Sequence, residues 1–205
     1  MKLARLRNRL DYQGALLGIV VLCTSAALAL AARVTGPQIA AAEARDLRQS
    51  LTRVLPAGFD NDPLADTLTL ATAEGEVTVY RARREGRVEA VVYRVVGKGY
   101  AGPIVAILGV DRDGRLIGVR VLRHSETPGL GDKIEPAKAD WIHAFSGKSL
   151  GQPAPEHWAV KKDGGAFDQF AGATITPRAL VKAVKGGLEL FTRERTRLLD
   201  EEAGT

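Results

Sequence analysis

An α+β architecture, with a single N-terminal transmembrane helix followed by a largely antiparallel sheet flanked by helices, is what this 205-residue sequence predicts. Three observations carry the expectation. Gly14 to Ala32 run without a charge or a proline, long enough to span a hydrocarbon core as a helix. Between Val77 and Arg123, β-branched runs are separated by Glu85-Gly86 and Asp113-Gly114, pairs that favour tight hairpin turns. From Pro177 to Leu199, the residues Leu180, Val184, Leu188 and Phe191 recur at helical spacing on one face.

Composition excludes several classes. With 45% hydrophobic and 26% charged residues the chain is too apolar to be disordered. Its one cysteine, Cys23, leaves no intramolecular disulfide, Cys-rich zinc site or Cys-ligated iron–sulfur cluster to be built from this chain. Redox chemistry therefore requires an organic cofactor. The formal charge of +5 suggests nucleic acid until the charges are located. Lys2, Arg5, Arg7 and Arg9 stand against Asp11 in the first residues, and the remaining body is close to neutral. No nucleic-acid partner is expected.

Taken in order, residues 1–13 form a basic tail, and 14–32 the membrane helix. The excess of basic residues before the span puts the tail in the cytoplasm and everything after Arg33 outside, the periplasm in a bacterium. A cleaved signal peptide has a similar pattern, but the apolar stretch exceeds the usual length of one, so a retained inner-membrane anchor is expected. Leu22 is too bulky for lipoprotein processing at Cys23, which reads as a small apolar residue in the bilayer. Residues 33–75 read as a connecting helix over 36–54, stopped by Pro56 and Gly58, and a polar loop at Asp60–Asp66. The domain proper covers 76–199. Four strands are expected at Val77–Arg83, Val88–Val96, Ile104–Asp111 and Leu116–Arg123, then a helix at Pro136–Phe145, a short strand at His157–Lys161 and the long C-terminal helix. Gly186-Gly187 weaken that helix by about 1 kcal/mol each relative to Ala, which points to close packing or a kink. Residues 200–205 are a tail.

Gly97-Lys98-Gly99-Tyr100-Ala101-Gly102 fits the spacing of a dinucleotide fingerprint, yet Pro103 and a β-branched run follow where that motif needs a helix. The glycines instead suit a sharp turn or a close backbone approach to a planar ligand. His124, His143 and His157 lack metal-ligand spacing, and no metal is expected. His124 and Glu126 read either as an acid–base pair or as a hydrogen-bonded loop. The whole stretch, His124-Ser125-Glu126-Thr127-Pro128-Gly129-Leu130-Gly131-Asp132-Lys133, is richer in chemistry than a connector requires and is a binding-loop candidate.

A second constellation runs from Asp168 to Pro177. Thr176 before Pro177 predicts a helix N-cap followed by the first helical residue. The orphan N–H groups of that first turn favour phosphate, and a phosphoryl group on the Thr174 hydroxyl would lie near them. The alternative is an ordinary capped helix with a glycine before it.

At HSETPGLGDK (124–133), GYAGPI (99–104) and DQFAGATIT (168–176) the sequence resembles the FMN-binding domain family whose members carry FMN joined by a phosphoester bond to threonine. Asp168, Gly172, Ala173 and Thr174 match the family's attachment pattern, and Ala171 departs where a hydroxyl is expected. The resemblance implies covalent FMN on Thr174. It implies FMN contacts from His124, Glu126, Thr127, Pro128, Gly129, Leu130, Gly131, Lys133, Gly99, Gly172, Ala173 and Thr176. Asp168 would serve recognition by a flavin transferase. The implied role is that of an electron-carrying subunit without independent catalytic residues, partnered by the other membrane subunits of an Rnf-type ion-translocating complex. Alternatives are the similarly anchored FMN-threonine subunit of a sodium-pumping NADH:quinone oxidoreductase, a free-standing anchored flavin reductase, and an assembly subunit that has lost its flavin.

Overall fold

The protein is described by a computed structural model covering residues 10–56, 58–72 and 75–200. The basic tail up to residue 9 and the C-terminal tail from 201 lie outside the described residues. The chain divides into two compact units, one up to Leu47 and one from Arg48.

Helix α1 runs over Leu10–Thr52. It joins the two helices expected at 14–32 and 36–54 into one, passing through Gly36-Pro37 without a stop. A proline inside a helix removes one N–H bond and crowds the preceding turn, a local cost that the Ala- and Leu-rich turns on both sides outweigh. Tyr12–Ile39 is long and apolar enough to cross a membrane.

The second unit is built on five antiparallel strands in sequential order: β1 Thr67–Thr72, β2 Gly75–Arg84, β3 Arg87–Lys98, β4 Pro103–Asp111 and β5 Leu116–Arg123. The α+β class is as predicted. The sheet has one strand more than expected, because β1 lies inside the segment 33–75 read as helix and loop. Its Thr-Leu alternation is only six residues long and leaves half its positions exposed, a weak signal for an edge strand. The β2–β3 turn is tight, with Glu85 at φ 51° and Gly86 at φ 80°, the paired positive values that a two-residue hairpin demands.

Helix α2, Ile175–Leu198, lies against β3 and β4. Leu180, Val184, Leu188 and Phe191 are all buried, each contributing about 1.5–3 kcal/mol of burial free energy. Gly187 explains the glycine pair as close packing. A Cβ there would collide with Leu108 and stand 3.0 Å from Val95, and its carbonyl accepts the Tyr93 hydroxyl at 2.8 Å. Burial raises the Tyr93 pKa far above the usual phenol value, so this hydrogen bond is held through the neutral and mildly alkaline range.

Between β5 and α2 the chain departs from expectation. Pro136–Phe145 holds a 3-10 turn at Asp140–Phe145 rather than an α-helix, and His157–Lys161 holds a 3-10 turn at Pro155–His157 and a single bridge from Val160 to Phe167 rather than a strand. Aromatic anchoring replaces regular structure in this stretch. Phe145 packs on Phe167 at 4.7 Å between ring centroids, and Phe167 on Trp158 at 5.2 Å.

On the opposite face of the sheet the end of α1 and the residues after it bury Leu51, Val54 and Leu55. Gly109 and Gly118, paired across β4 and β5, leave the notch that takes Val54. Arg81, wholly buried, donates to Asp66 at 2.7 Å, and the same carboxylate accepts from Arg83, which ties the loop before β1 to the sheet.

Candidate functional site

Three segments that the sequence marks as unusual meet at one end of the sheet. The β3–β4 hairpin is closed by Gly99 N–H donating to the Gly102 carbonyl at 2.9 Å, so the glycine-rich motif is a turn between strands. The loop after β5 folds back through Leu130 and Gly131 N–H groups, both donating to the Thr127 carbonyl. The third segment is the start of α2.

Glu126 joins them. It is 4% exposed, and its carboxylate accepts from Ala101 N–H at 3.0 Å, from Tyr100 N–H at 3.3 Å and from the Thr176 hydroxyl. Two glycines make room for it. A Cβ on Gly99 would stand 2.5 Å from Glu126 Oε1, and one on Gly131 would stand 2.8 Å from Glu126 Cβ. A buried carboxylate with three donors is a satisfied charge, and its removal would strand those donors. Glu126 thus acts as a clasp among backbone segments.

The start of α2 differs from the sequence expectation. Ile175 is its first residue and Thr174 the N-cap position, with no side-chain capping bond. Thr176, expected as the N-cap, sits inside the first turn with its hydroxyl given to Glu126, and Pro177 is third in the helix. The shift follows from Glu126: a strong buried acceptor takes the hydroxyl that would otherwise cap. Because Pro177 lacks an N–H, the helix presents the Ile175 and Thr176 N–H groups as its leading donors.

Between these segments lies a cleft of about 330 Å³, lined by Tyr100, Glu126, Thr127, Leu130, Gly131 and the run Gly172–Thr176. Among the residues singled out from sequence, the lining includes Glu126, Thr127, Leu130, Gly131, Gly172, Ala173, Thr174 and Thr176. His124, Pro128, Gly129, Lys133 and Gly99 are not in it. His124 is turned to Glu135, with Nε2 2.8 Å from Oε1, while Nδ1 accepts the Glu126 N–H. Of the two readings of His124, the hydrogen-bonded loop is the one observed, since no His124–Glu126 side-chain contact forms. Asp168 lies on the surface, paired with Lys161 at 2.6 Å. A second cavity, of about 280 Å³ around Leu51 and Phe59, shares no lining residue with the cleft.

Tyr100 and Ile175 were not singled out from the sequence. Both are large, apolar and unusually open, at 72% and 46% exposure, and Leu130 at 42% joins them on the cleft. Ile175 could have been found as an apolar residue off the buried stripe of α2, and Tyr100 as an aromatic inside a glycine-rich turn. Exposed apolar groups gathered around a concavity, beside helix-start N–H donors and the free hydroxyl of Thr174, suit a ligand with a flat aromatic part and an anionic part. FMN has both, so the residues present fit it. Among the described residues no cluster of three or more His, Cys, Asp or Glu could hold a metal.

Comparison with known proteins agrees. Residues 99–189 match the family described as the FMN-binding domain. The chain is 54% identical over 188 residues to the G subunit of the ion-translocating oxidoreductase complex of Cereibacter sphaeroides, covering 91% of this chain and 86% of that one. It is 50% identical over 198 residues to the protein of the same name from Stutzerimonas stutzeri, covering 96% and 87%. Among solved structures, NqrC of Shewanella oneidensis is similar at 24% identity and a TM-score of 0.49 over 73% of each chain. Identity of this extent over nine-tenths of its length makes the chain a member of the G subunit family of ion-translocating oxidoreductase complexes.

Proposed function

We propose that the chain is the electron-carrying flavoprotein subunit of a membrane-bound, Rnf-type ion-translocating oxidoreductase, with FMN joined through its phosphate to Thr174. One observation carries the attachment site. Of the two hydroxyls at the start of α2, that of Thr176 is committed to Glu126 in a residue 1% exposed, whereas Thr174 is half-buried, lines the cleft and makes no side-chain hydrogen bond among the described residues. A phosphoester needs an accessible hydroxyl, and of the two only Thr174 offers one. The Ile175 and Thr176 N–H groups at the head of α2 favour the phosphate there, and Leu130, Ile175 and Tyr100 supply apolar surface for a flat ring. When bound, FMN supplies the redox chemistry and the protein its placement and electrostatics.

Asp168 then serves recognition by the flavin transferase, exposed and free to exchange its surface pairing with Lys161 for that enzyme. Ala171 leaves the acceptor hydroxyl intact. The apolar stretch of α1 anchors the chain in the inner membrane, with the flavin domain on the periplasmic side, and the other subunits of the complex are its partners.

Thr174→Ala is expected to abolish covalent flavin with little change in stability, because the Thr174 side chain caps nothing. Thr176→Ala should retain flavin but lower stability by about 1–3 kcal/mol by uncoupling Glu126. Flavin fluorescence in a denaturing gel, with protein coexpressed with its transferase, separates the two. Fluorescence that persists in Thr174→Ala and vanishes in Thr176→Ala reverses the assignment.

A further inference from the structure

The sheet face opposite α2 is covered at one end only, where Val54 fits over Gly109 and Gly118. Strand pairing places Arg94, Val96 and Lys98 of β3, Val105 of β4, and Arg120 and Arg123 of β5 together on the remainder of that face. Arg94, Lys98 and Arg123 are exposed, and Val96 is an apolar residue 59% open between them. Arg53, beside the covered end, adds a further cation: partial burial, and after it the charge of Arg53, lowers the pKa of the Arg120 guanidinium. Among the described residues none of these five basic side chains makes an ion pair. Basic groups crowded around an apolar centre without counter-charges lack only an acidic counterpart.

The location narrows the counterpart. Lys98 immediately precedes Gly99 and Arg123 immediately precedes His124, so this face ends at the two loops that build the cleft. The chain belongs to a family of complex subunits, which makes a protein surface available. We infer that the basic face of β3–β5 is the docking surface for an acidic patch on another subunit of the complex, which it holds beside the cleft. This rests on the function proposed above. The open apolar side chain of Val96 supplies contact area at the centre, over the buried Val105, and the surrounding cations set orientation and encounter rate.

The test uses the full chain assembled in its membrane complex. A carbodiimide joins an amine to a carboxylate already in contact, so Lys98 is expected to be cross-linked to an Asp or Glu of another subunit, identified by peptide mass spectrometry. Arg94→Glu/Arg123→Glu should lower that cross-link and the retention of the chain in the complex roughly tenfold, while Arg94→Lys/Arg123→Lys largely restores both. Wild-type retention should fall as salt rises and that of the Glu variant should not. An equal melting temperature and equal gel fluorescence in all forms show that folding and flavin loading are intact. The inference is overturned if Lys98 links to no other subunit and the Glu variant assembles as wild type does. It is also overturned if the Glu variant loses only binding to vesicles of phosphatidylcholine and phosphatidylglycerol, which would assign the face to lipid. Failure of the flavin reading would show separately, as a wild-type band without fluorescence.

Discussion

The two faces of the sheet are closed by the same device and to different extents. On one, α2 packs through Gly187 against Leu108 and Val95, and the aromatic cluster of Phe145, Trp158 and Phe167 extends the cover. On the other, Val54 enters the notch at Gly109 and Gly118, but cover stops there and gives way to arginines. The difference separates two tasks. The first face holds the domain together, and it carries the helix whose start forms the cleft. The second spends little surface on internal packing and leaves charge available to a partner.

Phe145→Ala tests the closed face and should have the largest effect. Phe145 is fully buried in the aromatic cluster, and its truncation should cost about 3–5 kcal/mol, read as a shift of the denaturation midpoint of the full chain in detergent. On the other face, Gly109→Ala forces a methyl into the Val54 carbonyl, with an expected loss of about 1–3 kcal/mol. A loss as large as that of Phe145→Ala would mean that the two faces contribute equally, and the contrast between them would fail. The smallest effect belongs to the rim of the closed face, where Arg178 in the first turn of α2 donates twice to Asp163, at 2.6 and 2.8 Å. Those bonds, aided by the charges of Arg178 and Lys162, outweigh desolvation and hold the Asp163 carboxyl below its ordinary value. Because the folded value is the lower one, the stabilisation is complete above the unfolded carboxylate pKa of about 3.9 and is lost as pH falls through the folded value. Asp163→Asn should therefore remove a slight part of the acid-induced loss of stability in that window, measured by melts across pH, and leave stability indifferent to this site below it.

Much of the fold could be read from periodicity. The four longer strands, the hairpin at Glu85-Gly86 and the buried stripe of α2 follow from local pattern, since β-branched runs, an acidic-Gly pair and helical spacing each mark a regular element even where, as in β4, both faces are buried. Where regular elements gave way to anchored loops, spacing carried less. Pro136–Phe145 and His157–Lys161 hold their aromatic residues in place without a repeating backbone pattern, and β1 is too short and too exposed to announce itself. At the site, the segments were legible but the roles of individual residues less so. Glu126 was visible as a carboxylate in a loop, yet its use as a buried acceptor depends on Tyr100, Ala101 and Thr176, which no local pattern connects to it. The same contact moved Thr176 from cap to first-turn residue, and so left Thr174 as the open hydroxyl.

The clasp at Glu126 also has a place in time. It joins a hairpin 25 and 26 residues upstream to a helix 50 residues downstream, so it closes only after β3, β4 and β5 have paired and α2 has docked. Contacts of such separation form late, because the entropy of loop closure must be met before they contribute. The segment bearing Thr174 consequently takes its final shape near the end of folding, so the flavin attachment proposed above would favour completed chains over nascent ones.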